Sequence, residues 1–446
     1  MSADAHPIPS HAGPRATRAG NYFVSNYPPF SFWSEEQIPA VAEALRSRPA
    51  REDTPLGLYH HIPFCRKRCH FCYFRVYTDK SARDIQDYLD CTVEELVRLA
   101  RMPLIEGRKP HFVYFGGGTP SYLSANQLGE LADRMKGILS WDSAAEVAFE
   151  CEPGTLGPGK VEAIKRIGVT RLSLGIENFD DAVLELNGRA HHSAEIYRAY
   201  ERARHEGFEQ INIDLIAGML GETEANWQRN IERTLALRPD SVTIYQMEIP
   251  YNTTIYKEMR ASGKLEAPVA DWQTKRRWVK EAFAALEAGG YHIGSGYTAV
   301  LNPGRTRFIY RDELWRGADL LGVGVASFSH AAGVHYQNLT EIAPYIAAVR
   351  RGDQPLQRAF RTTPEERMIR EFILQMKLGR VDSGYFLAKF GADVLGRFGG
   401  ILRDLGAEGL LSIEGGDIVL SRDGLLCVDN LLHDFFLPQH KTDKLV

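Results

Sequence analysis

Six short runs of β-branched and aromatic residues recur along the chain, and a stretch of helical character follows each of them. The runs are Leu56–Ile62, Phe112–Phe115, Glu146–Cys151, Arg171–Gly175, Gln210–Ile216 and Ser241–Met247. The helical stretches are Ile85–Met102, Ala125–Leu139, Lys160–Ile167, Ala194–Glu206, Glu224–Leu237 and Trp272–Glu287. This alternation predicts an α/β fold, in which a parallel sheet carries helices on its outside. Six units fit either a doubly wound sheet or an incomplete barrel, and the pattern alone leaves both open.

A change in pattern near residue 360 indicates a second, smaller domain. An apolar, Gly-rich run, Leu320–Phe328, first predicts one further buried strand. Polar composition then rises, and a new helix start follows at residues 363–366. Here Thr363 is the expected N-cap, Pro364 occupies the first helical position, and Glu366 closes a capping box.

Beyond this helix start, the sequence predicts helices and a β-hairpin. The hairpin strands are Leu410–Ile413 and Ile418–Ser421 around Gly415-Gly416, and a last helix is expected near Leu425–Phe435. We therefore predict three parts of the chain. They are an N-terminal extension over residues 1–50 that is partly disordered, a barrel domain with its following strands over residues 51–345, and a helical, winged-helix-like lid domain over residues 360–446.

Composition narrows the class of protein. Hydrophobic residues make up 44% and charged residues 25%, which is ordinary globular usage. The net charge of −4 provides no large basic surface, so nucleic acid is not an expected partner. The sequence has no apolar run long enough to cross a bilayer and no apolar signal segment in Met1–Gly20, so we expect a cytoplasmic protein without a membrane partner.

The strongest chemical signal is a C-x3-C-x2-C array directly after the first strand. Its ligand candidates are Cys65, Cys69 and Cys72. Structural zinc normally needs four ligands, whereas three thiolates suit a 4Fe–4S cluster with one iron left open for another ligand. The other cysteines (Cys91, Cys151 and Cys427) are scattered, and we expect none of them to bind the cluster. The array resembles the signature of the radical S-adenosylmethionine (SAM) superfamily.

Other polar groups follow the strands at their carboxyl ends, where ligand sites of parallel α/β folds gather. A Gly-rich segment, Phe115–Pro120, ends the second strand, and its glycines allow a ligand to approach the backbone. Acidic and polar residues at the later strands are Glu150, Glu152, Glu177, Asp214, Tyr245 and Gln246. The adjacent His191 and His192 provide too few ligands for a metal site and are interpreted as a polar loop pair.

More of the chain resembles one branch of this superfamily, the oxygen-independent coproporphyrinogen III oxidase family. That family also contains heme chaperones and the class C radical SAM methyltransferases. The matching segments are 58–65, 116–120, 171–179, 212–218 and 315–319. The resemblance implies a partial (β/α)6 barrel with a C-terminal lid, a 4Fe–4S cluster and often two SAM molecules.

The same resemblance assigns site residues by position. Those expected to bind the cluster-bound SAM are Tyr59, Gly117, Gly118, Thr119, Glu150, Glu177, Arg189 and Asp214. Met247 and Phe328 fall near the second-SAM pocket of the family. Glu177 and Tyr59 are the candidates for catalytic residues.

Two departures from the oxidase suggest a different reaction. The oxidase has a further Cys two residues after the third ligand, where this chain has Phe74, and a Gln where this chain has Glu177. The run from Cys72 to Lys80 resembles the branch that makes methyl or cyclopropyl groups in natural products, including antibiotics. We therefore expect a methyltransferase or cyclopropanase that uses two SAM molecules and transfers a methyl or methylene carbon to an sp2 carbon of a natural-product intermediate.

Two alternatives remain open from the sequence. One is decarboxylation of a porphyrinogen or another tetrapyrrole reaction, and the other is a heme chaperone. The expected partners are a small-molecule substrate, an electron donor such as flavodoxin or ferredoxin, and, as an open question, a separate methyltransferase.

Overall fold

The computed structural model describes residues 23–49, 51–250, 252–262 and 268–441. The disorder expected for the first twenty residues lies outside this part of the chain. One helix, α1 (Ile38–Arg46), precedes the main sheet. Within the described residues, no helix is long and apolar enough to cross a membrane.

Six consecutive parallel strands form the wall of a partial barrel. They are β1 (Leu56–Ile62), β2 (Phe112–Gly117), β3 (Glu146–Cys151), β4 (Arg171–Glu177), β5 (Gln210–Ala217) and β6 (Ser241–Gln246). The helices that connect and follow them are α2 (Ala82–Ala100), α3 (Ala125–Ile138), α4 (Pro158–Arg166), α5 (Asp181–Leu186), α6 (Ser193–Glu206), α7 (Glu224–Leu237), α8 (Thr254–Ser262) and α9 (Trp272–Ala288). The predicted strand–helix alternation is confirmed.

The order of the strands decides between the two architectures that the sequence left open. The six strands lie side by side in chain order, from β1 to β6. A doubly wound sheet would reverse its winding direction at a central strand, whereas sequential winding in one direction is typical of a barrel. The carboxyl ends of all six strands therefore meet at one rim.

Further strands extend the sheet on both sides of the barrel. They are β7 (His292–Ile293), β8 (Thr298–Val300), β9 (Asp319–Val323), β10 (Phe328–Ala331), β11 (Val334–Asn338) and β12 (Leu356–Arg361), with helices α10 (Ile309–Trp315) and α11 (Ile342–Arg351) between them. β9 continues the parallel wall beside β1, and β10 to β12 add antiparallel strands beyond it. At the other side, β8 is antiparallel to β6, and β7 is antiparallel to β8. The sheet stays open between β12 and β7.

The prediction of one strand over Leu320–Phe328 was wrong. β9 ends at Val323, and the chain turns before β10 begins at Phe328. The backbone at Gly324 and Ala326 has φ values of 99° and 58°, which an extended strand does not contain. A Cβ atom at residue 324 would lie 2.3 Å from the Tyr88 hydroxyl, so glycine is needed at this turn.

The C-terminal part begins with the capping box that the sequence predicted. The Thr363 side chain accepts a hydrogen bond from the Glu366 N–H, and the Glu366 carboxylate accepts one from the Thr363 N–H. The elements that follow are α12 (Pro364–Met376), β13 (Arg380–Val381), α13 (Ser383–Phe390), α14 (Val394–Arg397), α15 (Gly399–Ala407), β14 (Leu411–Glu414), β15 (Asp417–Leu420), α16 (Arg422–Leu426) and α17 (Val428–Leu432). The predicted hairpin is present as β14 and β15.

The last predicted helix, over Leu425–Phe435, was wrong in its continuity. The structure has two short helices, α16 and α17, because the backbone at Cys427 leaves the helical region. The core of this part also contains Val24 and Tyr27 from the N-terminal segment. The segment that contains Val24 and Tyr27 therefore packs against the C-terminal part of the described chain.

A buried glutamate joins helix α2 to the extension of the sheet. The Glu95 carboxylate accepts hydrogen bonds from the Gly324 N–H at 2.8 Å, the Tyr345 hydroxyl at 2.6 Å and the Asn338 amide at 2.5 Å. Its side chain is buried, and this burial raises the pKa of Glu95 to about 7.

We expect Glu95→Gln to lower the free energy of unfolding by about 1–3 kcal/mol. The glutamine amide replaces one acceptor oxygen with an N–H donor, although the three groups around this side chain are all donors. Native stability contributed by the protonated carboxyl is lost as pH rises through about 7, and the glutamine variant should lack this dependence. Urea unfolding at several pH values measures both effects. Glu94→Gln, an exposed neighbour on the same helix, is the matched control, and equal effects of the two substitutions would contradict this prediction.

Candidate active site

The three cysteines of the array lie in the loop that leaves β1 at the barrel rim. The loop is closed at its base, where the Cys65 N–H donates to the Tyr77 carbonyl at 3.1 Å. All three thiols are free. Two donors point at their sulfurs: the Thr119 hydroxyl lies 3.2 Å from Cys65 Sγ, and Arg189 Nη1 lies 3.3 Å from Cys69 Sγ.

This donor arrangement fits an anionic iron–sulfur cluster. Hydrogen bonds to sulfur stabilise negative charge on thiolates. Burial raises the pKa of Cys65 to about 12 and of Cys72 to about 11, so iron has to displace the protons of these thiols on binding. No three His, Cys, Asp or Glu side chains of the described residues are placed to chelate one metal ion. Cysteines that hold a 4Fe–4S cluster bind separate irons and do not need to converge on one point.

An ion pair fixes the cysteine loop to the end of β3. Arg66 donates from Nε and Nη2 to the two carboxylate oxygens of Glu152, both at 3.0 Å. The ring of His191 lies 3.2 Å from the same carboxylate. These partners outweigh the effect of burial and lower the pKa of Glu152 to about 2. Glu152 and His191 therefore hold the loop in place, and His192 is exposed at the start of α6.

Glu150 on β3 and Asp214 on β5, the strands on either side of β4, project into the interior of the barrel. The Glu150 carboxylate accepts hydrogen bonds from the Tyr114 hydroxyl at 2.6 Å and from the Gly117 N–H at 3.1 Å. Asp214 accepts from Ser173 at 2.8 Å and from the Asn212 amide at 2.9 Å. Burial raises the pKa of both acids, that of Glu150 to about 7. Two carboxylates with spare acceptor capacity suit the hydroxyl and ammonium groups of SAM.

Glu177 is held in an uncommon backbone conformation at the end of β4. Its φ is 65°, and the register between β4 and β5 shifts at this point. A non-glycine residue in the left-handed region costs free energy and often marks a functional site. The carboxylate lies 3.6 Å from Arg189, while burial raises the pKa of Glu177 to about 7. Glu177 and Cys69, a predicted cluster ligand, therefore share the same arginine.

These groups line one cavity of about 440 Å3. The predicted site residues found on its wall are Cys65, Cys69, Cys72, Gly117, Gly118, Thr119, Glu150, Glu177, Arg189, Asp214 and Met247. A cavity of this size holds a small molecule. The glycine at position 117 is required here, because its φ is 112° and a Cβ atom would lie 2.6 Å from the His61 ring.

Two predicted residues lie elsewhere. Tyr59 is not part of the cavity wall, and its hydroxyl lies 3.0 Å from His61 Nδ1 instead. Phe328 begins β10, where its ring packs against Phe30 at 4.6 Å and Trp33 at 5.8 Å. Their predicted roles toward SAM remain predictions.

Several wall residues were missed by sequence reasoning. Among them are Phe23, Tyr73, Tyr114, Arg171 and Phe308. Tyr114 directly precedes the Gly-rich segment on β2 and lies two residues before Gly116, so its alternation with Gly116 was a usable signal. Phe23 and Phe308 come from distant parts of the chain, and no local pattern connects them to the cysteines.

Comparison with known proteins identifies the barrel. The family model described as the radical SAM superfamily matches residues 59–233. The heme chaperone HemW of Bacillus subtilis is 28% identical over 374 residues, which cover 82% of this chain and 96% of that protein. The oxygen-independent coproporphyrinogen III oxidase of Escherichia coli is 27% identical over 442 residues, covering 95% of this chain and 92% of that protein. The solved structure of the Escherichia coli oxidase, HemN, superposes with a TM-score of 0.80 at 26% identity and covers 93% of this chain.

These comparisons correct the functional expectation. The prediction of methyl or cyclopropyl transfer to a natural-product intermediate was wrong, because the relatives that match over most of the chain are coproporphyrinogen III oxidases and heme chaperones. The resemblance to class C methyltransferases depended on two substitutions and one short run beside the third cysteine. Such local departures describe one wall of the site and do not identify a substrate.

The superfamily implies a 4Fe–4S cluster and SAM, and the free cysteines and acids of the cavity fit both groups. The chain therefore has the radical SAM fold, its residues 59–233 match the radical SAM superfamily, and most of its length is similar to coproporphyrinogen III oxidases and heme chaperones.

Proposed function

We propose that this protein is a radical SAM enzyme that acts on a tetrapyrrole, by oxidative decarboxylation of a porphyrinogen. The observation that supports this most is the whole-chain superposition on the Escherichia coli oxidase, which includes the C-terminal part as well as the barrel. Both groups of relatives also bear names that refer to tetrapyrroles.

The residues of the cavity divide into two roles. Cys65, Cys69 and Cys72 hold the cluster, and Thr119 and Arg189 donate hydrogen bonds to its sulfur ligands. Glu150 and Asp214 bind the SAM hydroxyl and ammonium groups. When bound, the reduced cluster and SAM would supply a 5′-deoxyadenosyl radical that takes a hydrogen atom from the substrate. The substrate radical would then lose carbon dioxide and pass one electron to an external electron acceptor.

Glu177 is the proton-carrying residue of this proposal. Its carboxyl is buried beside Arg189 and faces the cavity, and its raised pKa keeps both protonation states accessible near neutral pH. An external reductant, a protein such as flavodoxin or ferredoxin, delivers the electron that the cluster needs. We also propose that a second SAM molecule binds for this reaction, with Met247 on the cavity wall as its contact.

Anaerobic turnover tests this proposal. The reconstituted, reduced protein is incubated with SAM and coproporphyrinogen III, and mass spectrometry follows loss of carbon dioxide from the substrate together with 5′-deoxyadenosine. We expect both products to form, and Cys69→Ala to form neither. SAM cleavage without any change of the porphyrinogen would contradict the proposed reaction.

A heme chaperone is the second candidate, and one observation favours it. Phe74 occupies the position at which the oxidase carries its additional Cys, so the group that distinguishes the oxidase is missing here. Titration with hemin discriminates between the two functions. Stoichiometric heme binding without conversion of coproporphyrinogen would support the chaperone.

A further inference from the structure

Four partly exposed aromatic side chains line the cavity that the three cysteines also line. Among the described residues, the large apolar side chains with the greatest exposure are Phe23 at 43%, Tyr73 at 48%, Phe74 at 45%, Tyr245 at 43%, Leu387 at 60% and Ile413 at 48%. The four aromatic members of this group all line the same cavity, and the two aliphatic members do not. We call Phe23, Tyr73, Phe74 and Tyr245 the aromatic collar.

The collar consists of two sides that come from different parts of the chain. Tyr73 and Phe74 follow the last cluster ligand, and their rings lie 4.4 Å apart. On the other side, Tyr297 contacts both Phe23, at 5.3 Å, and Tyr245, at 6.5 Å.

The accessible surface of the collar borders the cavity that contains the cysteines. All four rings belong to the wall of this cavity, and each of them remains partly exposed. The collar is therefore placed to contact a bound molecule.

Phe23 is held in place by a buried polar cluster. Lys377 and Asp429 form an ion pair at 2.8 Å with both side chains fully buried. Lys377 donates to the Val24 carbonyl at 2.6 Å, and Asp429 accepts from the Val24 N–H at 2.8 Å. The Lys377 ammonium also lies 3.7 Å from the centre of the Phe23 ring. A ring fixed this way loses little entropy when a ligand packs against it.

The charges beside the collar favour an anionic ligand edge. Lys67 and Arg68 line the same cavity, and neither has a carboxylate partner among the residues that the structure describes. The Nε atom of Arg68 is buried without a hydrogen-bond partner. The same wall also contains five acids: Glu150, Glu152, Glu177 and Asp214 have the partners described above, and Glu248 accepts the Phe23 N–H at 2.8 Å.

We propose that the aromatic collar packs against the pyrrole rings of a carboxylate-bearing tetrapyrrole, with Lys67 and Arg68 at its anionic edge. This inference rests on the proposed function and specifies which residues select the substrate. Aromatic faces attract the faces and edges of other aromatic rings, and two basic side chains suit ring carboxylates. The collar residues are binding residues, and the cleavage of SAM does not require them.

Binding of coproporphyrin III, the fluorescent oxidised form, tests the inference without turnover. We expect Tyr73→Ala/Phe74→Ala and Phe23→Ala/Tyr245→Ala to weaken binding to the reconstituted protein by about ten-fold or more. Leu387→Ala and Ile413→Ala remove equally exposed side chains outside the cavity and should leave binding unchanged. Tyr73→Phe/Tyr245→Phe keeps the rings and should also keep the affinity.

A second measurement separates binding from folding and from the cluster. The collar variants should retain cluster absorbance and reductant-dependent cleavage of SAM to 5′-deoxyadenosine. Unchanged coproporphyrin affinity in both double variants would overturn the collar and leave the proposed function intact. Tight, collar-dependent binding without conversion of coproporphyrinogen would support the collar and contradict the oxidase reaction. No binding to the unaltered protein would overturn both.

Discussion

Replacing Cys65, Cys69 or Cys72 with alanine should abolish the iron–sulfur cluster and all SAM cleavage. Each thiol is free, and each lies in the loop that Arg66 and Glu152 attach to the barrel rim. The remaining two thiols cannot hold a 4Fe–4S cluster with a single open iron. Anaerobic reconstitution followed by visible absorbance and reduced-state EPR measures the loss.

The same chain provides the controls for this experiment. Cys91 is buried on α2 and Cys427 is buried between α16 and α17, both away from the cavity wall. Cys91→Ala and Cys427→Ala should keep the cluster signals. A fully retained cluster in any one of the three loop variants would show that the ligand set is different.

Glu150→Gln and Asp214→Asn should each weaken SAM binding by about ten-fold or more. Charge-assisted hydrogen bonds contribute about 1.5–3 kcal/mol, and both substitutions keep the size of the side chain while removing its charge. Because burial raises the pKa of Glu150 to about 7, its ionised fraction increases as pH rises through this value. SAM affinity should therefore increase from about pH 6 to about pH 8, and Glu150→Gln should remove this component.

Two further variants isolate the charge effect. Tyr114→Phe removes the hydroxyl that donates to Glu150 and leaves the carboxylate in place. Glu130→Gln changes an exposed glutamate on α3 and should have no effect on SAM. Equilibrium binding of SAM to protein with verified cluster content is the measurement. Unchanged affinity in Glu150→Gln at an unchanged melting temperature would contradict a role in SAM binding.

Local sequence patterns predicted the strands and helices of the barrel well. All six predicted strands are present, and α7 begins and ends at the predicted residues, Glu224 and Leu237. Strand and helix periodicities depend on neighbouring residues, so a single sequence carries them. The three cysteines lie within eight residues, and their spacing alone restricts the metal chemistry.

The substrate was predicted incorrectly for a physical reason. The substitution of Phe74 and Glu177 for residues of the oxidase changes the local wall of the cavity, and it leaves the identity of the ligand open. The superposition over 93% of the chain, which depends on the arrangement of many elements, is instead on the coproporphyrinogen III oxidase of Escherichia coli, and it supports the proposed tetrapyrrole chemistry.

The sequence by itself determined the strand–helix alternation, the capping box at Thr363 and the three cysteines, because each depends on residues close together in the chain. Only the tertiary structure decided that the strands wind in one direction, that Arg189 joins Cys69 to Glu177, and that Phe23 reaches the cavity. These features connect distant residues: the bond between Phe23 and Glu248 spans 225 positions, and that between Val24 and Asp429 spans 405. Contacts over such separations form only when the complete core is packed, and no local pattern records them.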